Sequence, residues 1–422
     1  MSSPSREAAL RVMRALGDAG HTAYLAGGCV RDALLGLEPK DHDVATDTPP
    51  EAVLQLWPKS QPVGQAFGVV LCYAKIAGKR IAIEVATFRT EGPYSDGRRP
   101  DSVDYTDAQH DAQRRDFTVN GLFADPFDQP QPPGADTATC PTTGDRVIDF
   151  VHGLPDLLES KVIRAIGEPD RRFAEDYLRM LRAVRFASRM GFALHPATAE
   201  AIRTHAPKLD RISRERIGEE VKRTLLGPAP ALAARLWDAL QLTAAIFGEA
   251  VEPLDSQTLE ALPPEADLGA RLAAWIDARK PSIDAPRARA ALDLSNQQRD
   301  DLSQTLGLRE SLRRWPELGA AARKRLAAHP RFAQTLMWAL AGALPGTLAS
   351  AIDEQAAALA LDGVGLAPEP FVTGDDLLQL GLTAGPDFKR WLDRAYDDQL
   401  EGRTTSRKQA LDRLRQMTQP EA

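Results

Sequence analysis

The sequence predicts an α+β head followed by an all-α remainder. Two observations carry this reading. Between Gly68 and Phe88 lie two β-rich runs, Gly68–Ile76 and Arg80–Phe88, joined at Gly78 as an antiparallel hairpin. From Leu154 onward strand signal almost disappears, and runs of helical period take over: 173–189, 196–205, 213–225, 231–242, 268–278, 296–308, 317–328 and 331–344.

In chain order, 6–19 reads as an amphipathic helix with Ala9, Val12, Met13 and Leu16 on one face. A short apolar strand, Ala23–Ala26, runs into Gly27 and Gly28. A helical run, Cys29–Leu35, follows and is closed by Gly36. A second strand is expected to carry Asp41 and Asp43. The pair Pro49–Pro50 marks the start of a helix ending near Trp57. Beyond the hairpin, 90–104 is a polar loop, 108–120 is helical in part, and 147–150 returns as a strand. The stretch 126–145, dense in Pro, Gly and Thr, reads as an exposed insertion loop. The spacers 251–267 and 361–370 read as hinges between helical modules.

Composition bounds the function. The chain has 422 residues, 43% hydrophobic, and a net charge of −7. That is enough apolar material for real cores, and the acidic balance excludes indiscriminate coating of nucleic acid while allowing a local basic cleft. Cys29, Cys72 and Cys140 are scattered and form no metal-binding spacing, which points to a reducing cytoplasm. The opening residues lack the apolar core of a signal peptide, and 332–352 is too polar for a membrane span and reads as a buried helix.

The stretch with the most chemistry is Tyr24–Thr46. Residues two apart on a strand share a face, so Asp41 and Asp43 point into one volume. Two carboxylates that close repel unless a cation lies between them, and an oxygen donor set suits Mg²⁺. A solvated turn is the plain alternative. Gly27 and Gly28 let backbone N–H groups approach an anion at the start of a helix, and Arg31 stands within reach of a phosphate oxygen, with Asp32 as its structural partner. A phosphate cradle beside a metal clamp suggests phosphoryl or nucleotidyl transfer. Glu84, in an apolar strand, is either salt-bridged to Lys79 or Arg89 or is a third carboxylate that helps activate a hydroxyl. Arg115 can meet a triphosphate. Asp116 either caps a helix or binds a ribose hydroxyl.

Asp176, Arg179, Arg182 and Arg185 recur every three residues along one side of the expected 173–189 helix. In Asp176 and Arg179 an acceptor and a donor stand side by side. That edge matches cytosine and adenine, which offer a ring-nitrogen acceptor beside an amino donor. Uracil and guanine present the reverse pattern.

The runs Leu25–Thr46, Arg114–Leu122 and Arg171–Phe192 resemble motifs A, B and D of the class II CCA-adding enzyme and bacterial poly(A) polymerase family, and Arg211–Arg223 is similar to the helix that follows them. The far runs Thr373–Phe388 and Tyr396–Leu411 resemble the tail of long bacterial members. The resemblance implies a polymerase-β-like nucleotidyltransferase head with a mixed, mostly antiparallel sheet at 1–153. It also implies a helical neck at 154–226, a body at 227–360 and a tRNA-binding tail at 361–422. It further implies untemplated addition of CMP and AMP, from CTP and ATP, to a tRNA 3′ end lacking CCA, with two Mg²⁺ ions; no obligate protein partner is evident in the sequence. By position, Asp41 and Asp43 would hold metal; Gly28, Arg31 and Arg115 the triphosphate; Asp176 and Arg179 the base; and Arg182 and Arg185 would support the nucleotide. The basic strip expected against RNA comprises Arg98, Arg99, Arg211, Arg214, Arg216, Arg403, Arg407 and Lys408.

The loop 88–102 matches the flexible loop that A-addition requires in the family. The insertion at 126–145 is longer than the family pattern, and 63–72 lacks the basic run usual in bacterial poly(A) polymerases. A poly(A) polymerase, an enzyme adding only the terminal A, and a catalytically silent RNA-binding module are the alternatives.

Overall fold

The computed structural model describes residues 3–63, 68–92, 102–252, 256–277, 279, 283–382 and 385–418. The chain forms two compact units, one of 1–229 with 236–250 and one of 230–235 with 251–422.

The first unit opens with helix α1 (Pro4–Asp18), capped by the Ser3 side chain and buried along Ala8, Ala9, Val12, Met13 and Leu16. Strand β1 (Ala23–Ala26), helix α2 (Gly28–Leu34), strand β2 (Val44–Thr46) and helix α3 (Pro50–Leu56) follow. Then come β3 (Ser60–Pro62), β4 (Val69–Ile76), β5 (Lys79–Thr87), β6 (Arg89–Glu91), β7 (Val103–Tyr105), α4 (Ala108–Gln113), β8 (Phe123–Asp125), β9 (Asp136–Thr139) and β10 (Arg146–Asp149). The β4–β5 hairpin turns on Ala77 and Gly78, both at positive φ (47° and 84°), the backbone that two-residue hairpin loops favour.

Eight strands form one sheet in the order β3-β4-β5-β2-β1-β8-β10-β9. Every pairing in it is antiparallel except β2 with β5, so the expected mixed, mostly antiparallel sheet is present. One face packs under α1. The other carries the cluster of Tyr24, Ala45, Phe88, Phe123 and Ile148 beneath Ala108 and Ala112 of α4. Alternation of side chains places Asp41, Asp43, Glu84 and Ala86 on this second face, in step with Ala45.

Three local expectations in this unit need correction. Strand β2 begins at Val44, so Asp41 and Asp43 precede it in extended chain; His42 between them is buried while both carboxylates are exposed, which preserves the shared face. The insertion at 126–145 is not all loop. Asp136–Thr139 adds the edge strand β9 beside β10, and its polar sequence, DTAT, has the apolar content of an edge rather than of a core strand. The three-residue central strand β8 gives too short a periodic signal to read. Finally, the expected helix 173–189 is two helices, Pro169–Glu175 and Arg179–Met190. Asp176 between them is extended (φ −150°) and accepts a hydrogen bond from the Leu178 N–H at 3.0 Å, a local bond that competes with the helical one. The helices Pro196–His205 and Arg214–Leu225 complete this part of the unit.

The described part of the second unit is helical. Leu308, Leu312, Trp315, Phe332 and Leu336 gather in one of its cores; Val372, Leu377, Ala395, Ala410 and Leu414 form another. The expected helix 331–344 is broken: Phe332–Trp338 runs into a wide turn, Ala339–Ala343, where Gly342 takes φ 115°. Among the described residues no helix is long and apolar enough to cross a membrane.

Candidate active site

A cleft of about 840 Å³ is lined by Asp41 and Asp43 just before β2 and Glu84 from β5, by Gly27, Gly28 and Arg31 from the β1–α2 turn, by Arg115 and Asp116, by Asp176 between two helices, and by Arg179, Arg182, Arg185 and Arg216 from the helices. The residues expected for catalysis and nucleotide binding, which span Gly27 to Arg185 in the chain, all line this cleft, and Arg216, expected against RNA, joins them.

The carboxylate wall follows from strand register. β2 and β5 pair in parallel with Val44 opposite Val85, so one step back sets Asp43 beside Glu84. Protein surrounding Asp43 on the cleft wall, together with the negative charges of Glu84 and Asp41, pushes its pKa up to about 6, against a smaller opposing pull from Arg115. Among the described residues Glu84 pairs with neither Lys79 nor Arg89, and it is exposed to the cleft, not buried in the strand. No three His, Cys, Asp or Glu side chains among the described residues are close enough to enclose an ion by themselves. Two exposed carboxylates held at a repulsive separation do fit a hard divalent cation of the Mg²⁺ type, which keeps several water or phosphate ligands of its own.

The phosphate side is built on Gly27, which takes φ 70° and ψ −119° at the start of α2. A Cβ there would lie 3.0 Å from Nη1 of Arg115. Asp111 fixes Arg115 through bonds of 2.9 and 3.1 Å, and Arg115 Nη1 also donates to the Asn120 carbonyl at 3.3 Å. Arg31 is buried, 3% exposed, and bonds to Asp32 at 2.6 and 2.9 Å and to Asn120 Oδ1 at 2.5 Å. Asp32, expected as its partner, also accepts from Arg189 at 2.9 Å.

The helical wall is tied to the head by Asp116. Its Oδ2 receives Arg182 at 2.6 and 2.8 Å, while Oδ1 accepts from Asn120 Nδ2 and the Phe117 N–H. Although burial opposes ionisation, the Arg182 guanidinium and the Asn120 bond hold the Asp116 pKa down at about 2. Asp116 caps no helix. Arg185 bonds to the buried Glu220 at 2.7 Å. The Asp176 carbonyl accepts from the Arg179 N–H at 3.0 Å, but their side chains turn to other partners: Arg216 meets the Asp176 carboxylate at 2.6 Å, and the Arg179 guanidinium pairs with Glu175 and donates to the Arg172 carbonyl at 2.8 Å. Nη1 of Arg216 is buried and has no hydrogen-bond partner among the described residues, a donor left over beside Asp176.

Several participants carry no sequence signal. Phe186 is 6% exposed, and its ring meets three guanidiniums, with centroid distances of 4.4 Å to Arg185, 5.2 Å to Arg31 and 5.4 Å to Arg182. Glu220 lies 35 residues from Arg185, and Asn120 lies 89 residues from Arg31, the guanidiniums they orient. The acidic run Glu219–Glu220 inside a basic helix is the one available hint.

The residues of the expected RNA strip divide between the two units. Arg98 and Arg99 lie outside the described residues. Arg211 is exposed, Arg214 donates to the Ile246 carbonyl at 2.7 Å, and Arg216 belongs to the cleft. In the second unit Arg403 pairs with Asp398 and Arg407 with Asp376, each at 2.5 Å, while Lys408 is exposed.

The chain is similar to known proteins both in sequence and in fold. Residues 23–164 match the poly A polymerase head domain, and 191–252 match the probable RNA and SrmB-binding site of polymerase A. The CCA-adding enzyme of Geobacillus stearothermophilus is 40% identical over 249 residues, 59% of this chain and 56% of that protein. The CCA-adding enzyme of Streptococcus pneumoniae strain CGSP14 is 40% identical over 221 residues, 52% and 50% of the two chains. The chain thus matches these curated relatives over about half of their length. A crystal structure of the Bacillus stearothermophilus CCA-adding enzyme in complex with CTP superposes with TM-score 0.74 and 28% identity over 99% of both chains. The Thermotoga maritima CCA-adding enzyme complexed with tRNA shares the fold, with TM-score 0.65 and 20% identity over 97% of this chain and 94% of that one. The head has the polymerase-β-like nucleotidyltransferase fold. The chain is similar to the CCA-adding enzymes over these segments, and its head resembles that of the poly A polymerases.

Proposed function

We propose that the protein adds CMP and AMP, from CTP and ATP, to the 3′ end of tRNA lacking CCA. The observation that carries this reading is the meeting, in one cleft, of Asp41, Asp43 and Glu84 with Asp176 and Arg179, which stand at the break between two helices. One set suits transfer and the other suits selection of a base without a template.

Gly28, Arg31 and Arg115 hold the triphosphate, and the bonds from Asp32, Asn120 and Asp111 keep the two guanidiniums from following the leaving group. Asp176 and Arg179 meet the base edge, with Arg216 Nη1 as a spare donor beside them. Arg182 and Arg185, steadied by Asp116 and Glu220, support the nucleotide, and Asp116 also stands within the cleft for a ribose hydroxyl. Asp41 and Asp43 are the residues that would hold Mg²⁺. When bound, such ions lower the pKa of the attacking 3′-hydroxyl and neutralise charge on the departing pyrophosphate. Glu84, without an ionic partner among the described residues, takes part as a third carboxylate beside Asp43. The 3′-oxygen attacks the α-phosphorus, the bond to the bridging oxygen breaks, and pyrophosphate leaves.

We place the head at 1–153, the neck at 154–226, the body at 227–360 and the tRNA-binding tail at 361–422, and the protein in the cytoplasm, where buried free thiols such as Cys29, Cys72 and Cys140 persist. The test is incorporation on a tRNA transcript lacking CCA with labelled CTP and ATP, separately and together. Addition of two C residues and one A is expected, with loss of both in Asp41→Ala and Asp43→Ala. A long A ladder on generic RNA would point instead to polyadenylation, and no incorporation at all would overturn transfer.

A further inference from the structure

We propose that the tip of the β4–β5 hairpin is a docking strip for RNA phosphates, continuous with the catalytic face of the sheet. The proposal rests on RNA being the substrate. Strand register places the strip. Leu71 faces Glu84, Tyr73 faces Ala82, and Lys75 faces Arg80. Opposed residues share a face, so the row that begins at the catalytic carboxylate Glu84 ends at Lys75 and Arg80. Lys59 joins the same face, because its carbonyl accepts from the Tyr73 N–H at 2.8 Å, where β3 meets β4.

Three features of this end point to an anion. First, Lys75 and Arg80 are like charges directly opposite each other, an arrangement that destabilises a hairpin. Second, among the described residues Lys59, Lys75 and Arg80 have no carboxylate partner, in a unit where Arg115, Arg182, Arg185 and Arg189 each have one. In a chain of net charge −7 such a cluster is a local exception. Third, the cations flank a groove of about 500 Å³ that also exposes Ser60 and Gln61. The Arg80 guanidinium lies 3.6 Å from the Tyr73 ring centroid, and Tyr73 is itself held by Gln61 Nε2 donating to its hydroxyl at 2.7 Å. Arg80 is thereby positioned, with its edge free to donate.

The spacing suits a strand that ends at the carboxylates. Four residues from Glu84 to Arg80, at about 3.3 Å each, span roughly 13 Å. At about 3.4 Å per nucleotide along a helical strand, that is some four nucleotides back from the reacting 3′ end. The occupant is therefore the phosphate backbone of the acceptor strand, not the nucleoside triphosphate.

The test is the double variant Lys75→Gln/Arg80→Gln, with binding of a labelled tRNA transcript lacking CCA followed by fluorescence polarisation across a salt series. At 0.1 M salt the Kd should rise about tenfold, and the slope of log Kd against log salt should fall by about two, one for each phosphate that the variant no longer neutralises. KM for CTP should stay unchanged and the melting temperature should not fall, since a repulsive pair is removed. The charge-preserving variant Lys75→Arg/Arg80→Lys should bind RNA as the parent does. An unchanged Kd, or a higher Kd with an unchanged salt slope, overturns the strip while leaving the transfer reading intact. Absence of RNA binding by the parent protein would overturn both.

Discussion

Asp116 and Arg182, 66 residues apart in the chain, are joined by two hydrogen bonds of 2.6 and 2.8 Å that lock the second helical wall of the cleft to the sheet domain. Asp116 is buried, so its charge depends on that partner. Its pKa is lowered in the folded state from 3.8 to about 2. The stabilisation is therefore fully present above pH 3.8 and is lost as the pH falls towards 2. The shift corresponds to about 2 kcal/mol. Asp116→Ala leaves a partly buried guanidinium without its counter-charge and should cost about 3 kcal/mol, read as a lower denaturant midpoint. Its stability profile between pH 4 and 2 should be flatter than that of the parent.

Gly27→Ala should damage the triphosphate side directly. At φ 70° and ψ −119° an L side chain is strained by about 1–3 kcal/mol, and its Cβ would press on Arg115 Nη1 from 3.0 Å. The expected outcome is a lower melting temperature together with a several-fold higher KM for both CTP and ATP, measured by steady-state incorporation.

Phe186→Leu should retain most of the packing volume but remove the aromatic face that Arg31, Arg182 and Arg185 share. At about 0.5–1 kcal/mol for each such contact, stability should drop by about 1–3 kcal/mol. With three guanidiniums less well aligned, KM for nucleotide should rise while RNA affinity, measured by polarisation, stays near that of the parent.

Arg216→Ala should release Asp176 from its 2.6 Å ion pair. Both side chains are only partly buried, so the effect on stability should be about 1 kcal/mol or less. The larger effect belongs to selection. Without Arg216 the Asp176 carboxylate can rotate, and misincorporation of UMP and GMP should rise in single-nucleotide assays. Unchanged selectivity would remove Arg216 from the base-reading group.

Much of the site is legible in the sequence because its parts are local. The glycine turn before α2, the DxD spacing of Asp41 and Asp43, and the three-residue recurrence from Asp176 to Arg185 are all short-range patterns. Helix Arg179–Met190 is predictable from its period, yet its break at Asp176 is not, because one side-chain bond to the Leu178 N–H decides it. Strand β8 lies between β1 and β10 but leaves no pattern to read, since three residues hold too little periodicity. Glu84 is ambiguous for a related reason. An isolated acid in a strand can be paired or free, and only register with β2 sets it beside Asp43.

By itself the sequence determined the residue types, their local spacing and the order of strand-rich and helix-rich regions, and through these the family resemblance and the two carboxylates on one face. Tertiary structure decided which charges are spent on one another: Asp116 on Arg182, Glu220 on Arg185, Asp32 on Arg31 and Arg189. It also decided which cations, Lys75 and Arg80, have no acidic partner among the described residues. The physical reason is that an ion pair is a relation across space. Chain spacing fixes which side chains can share a face, but the fold alone brings Arg182 to Asp116 and sets Lys75 opposite Arg80.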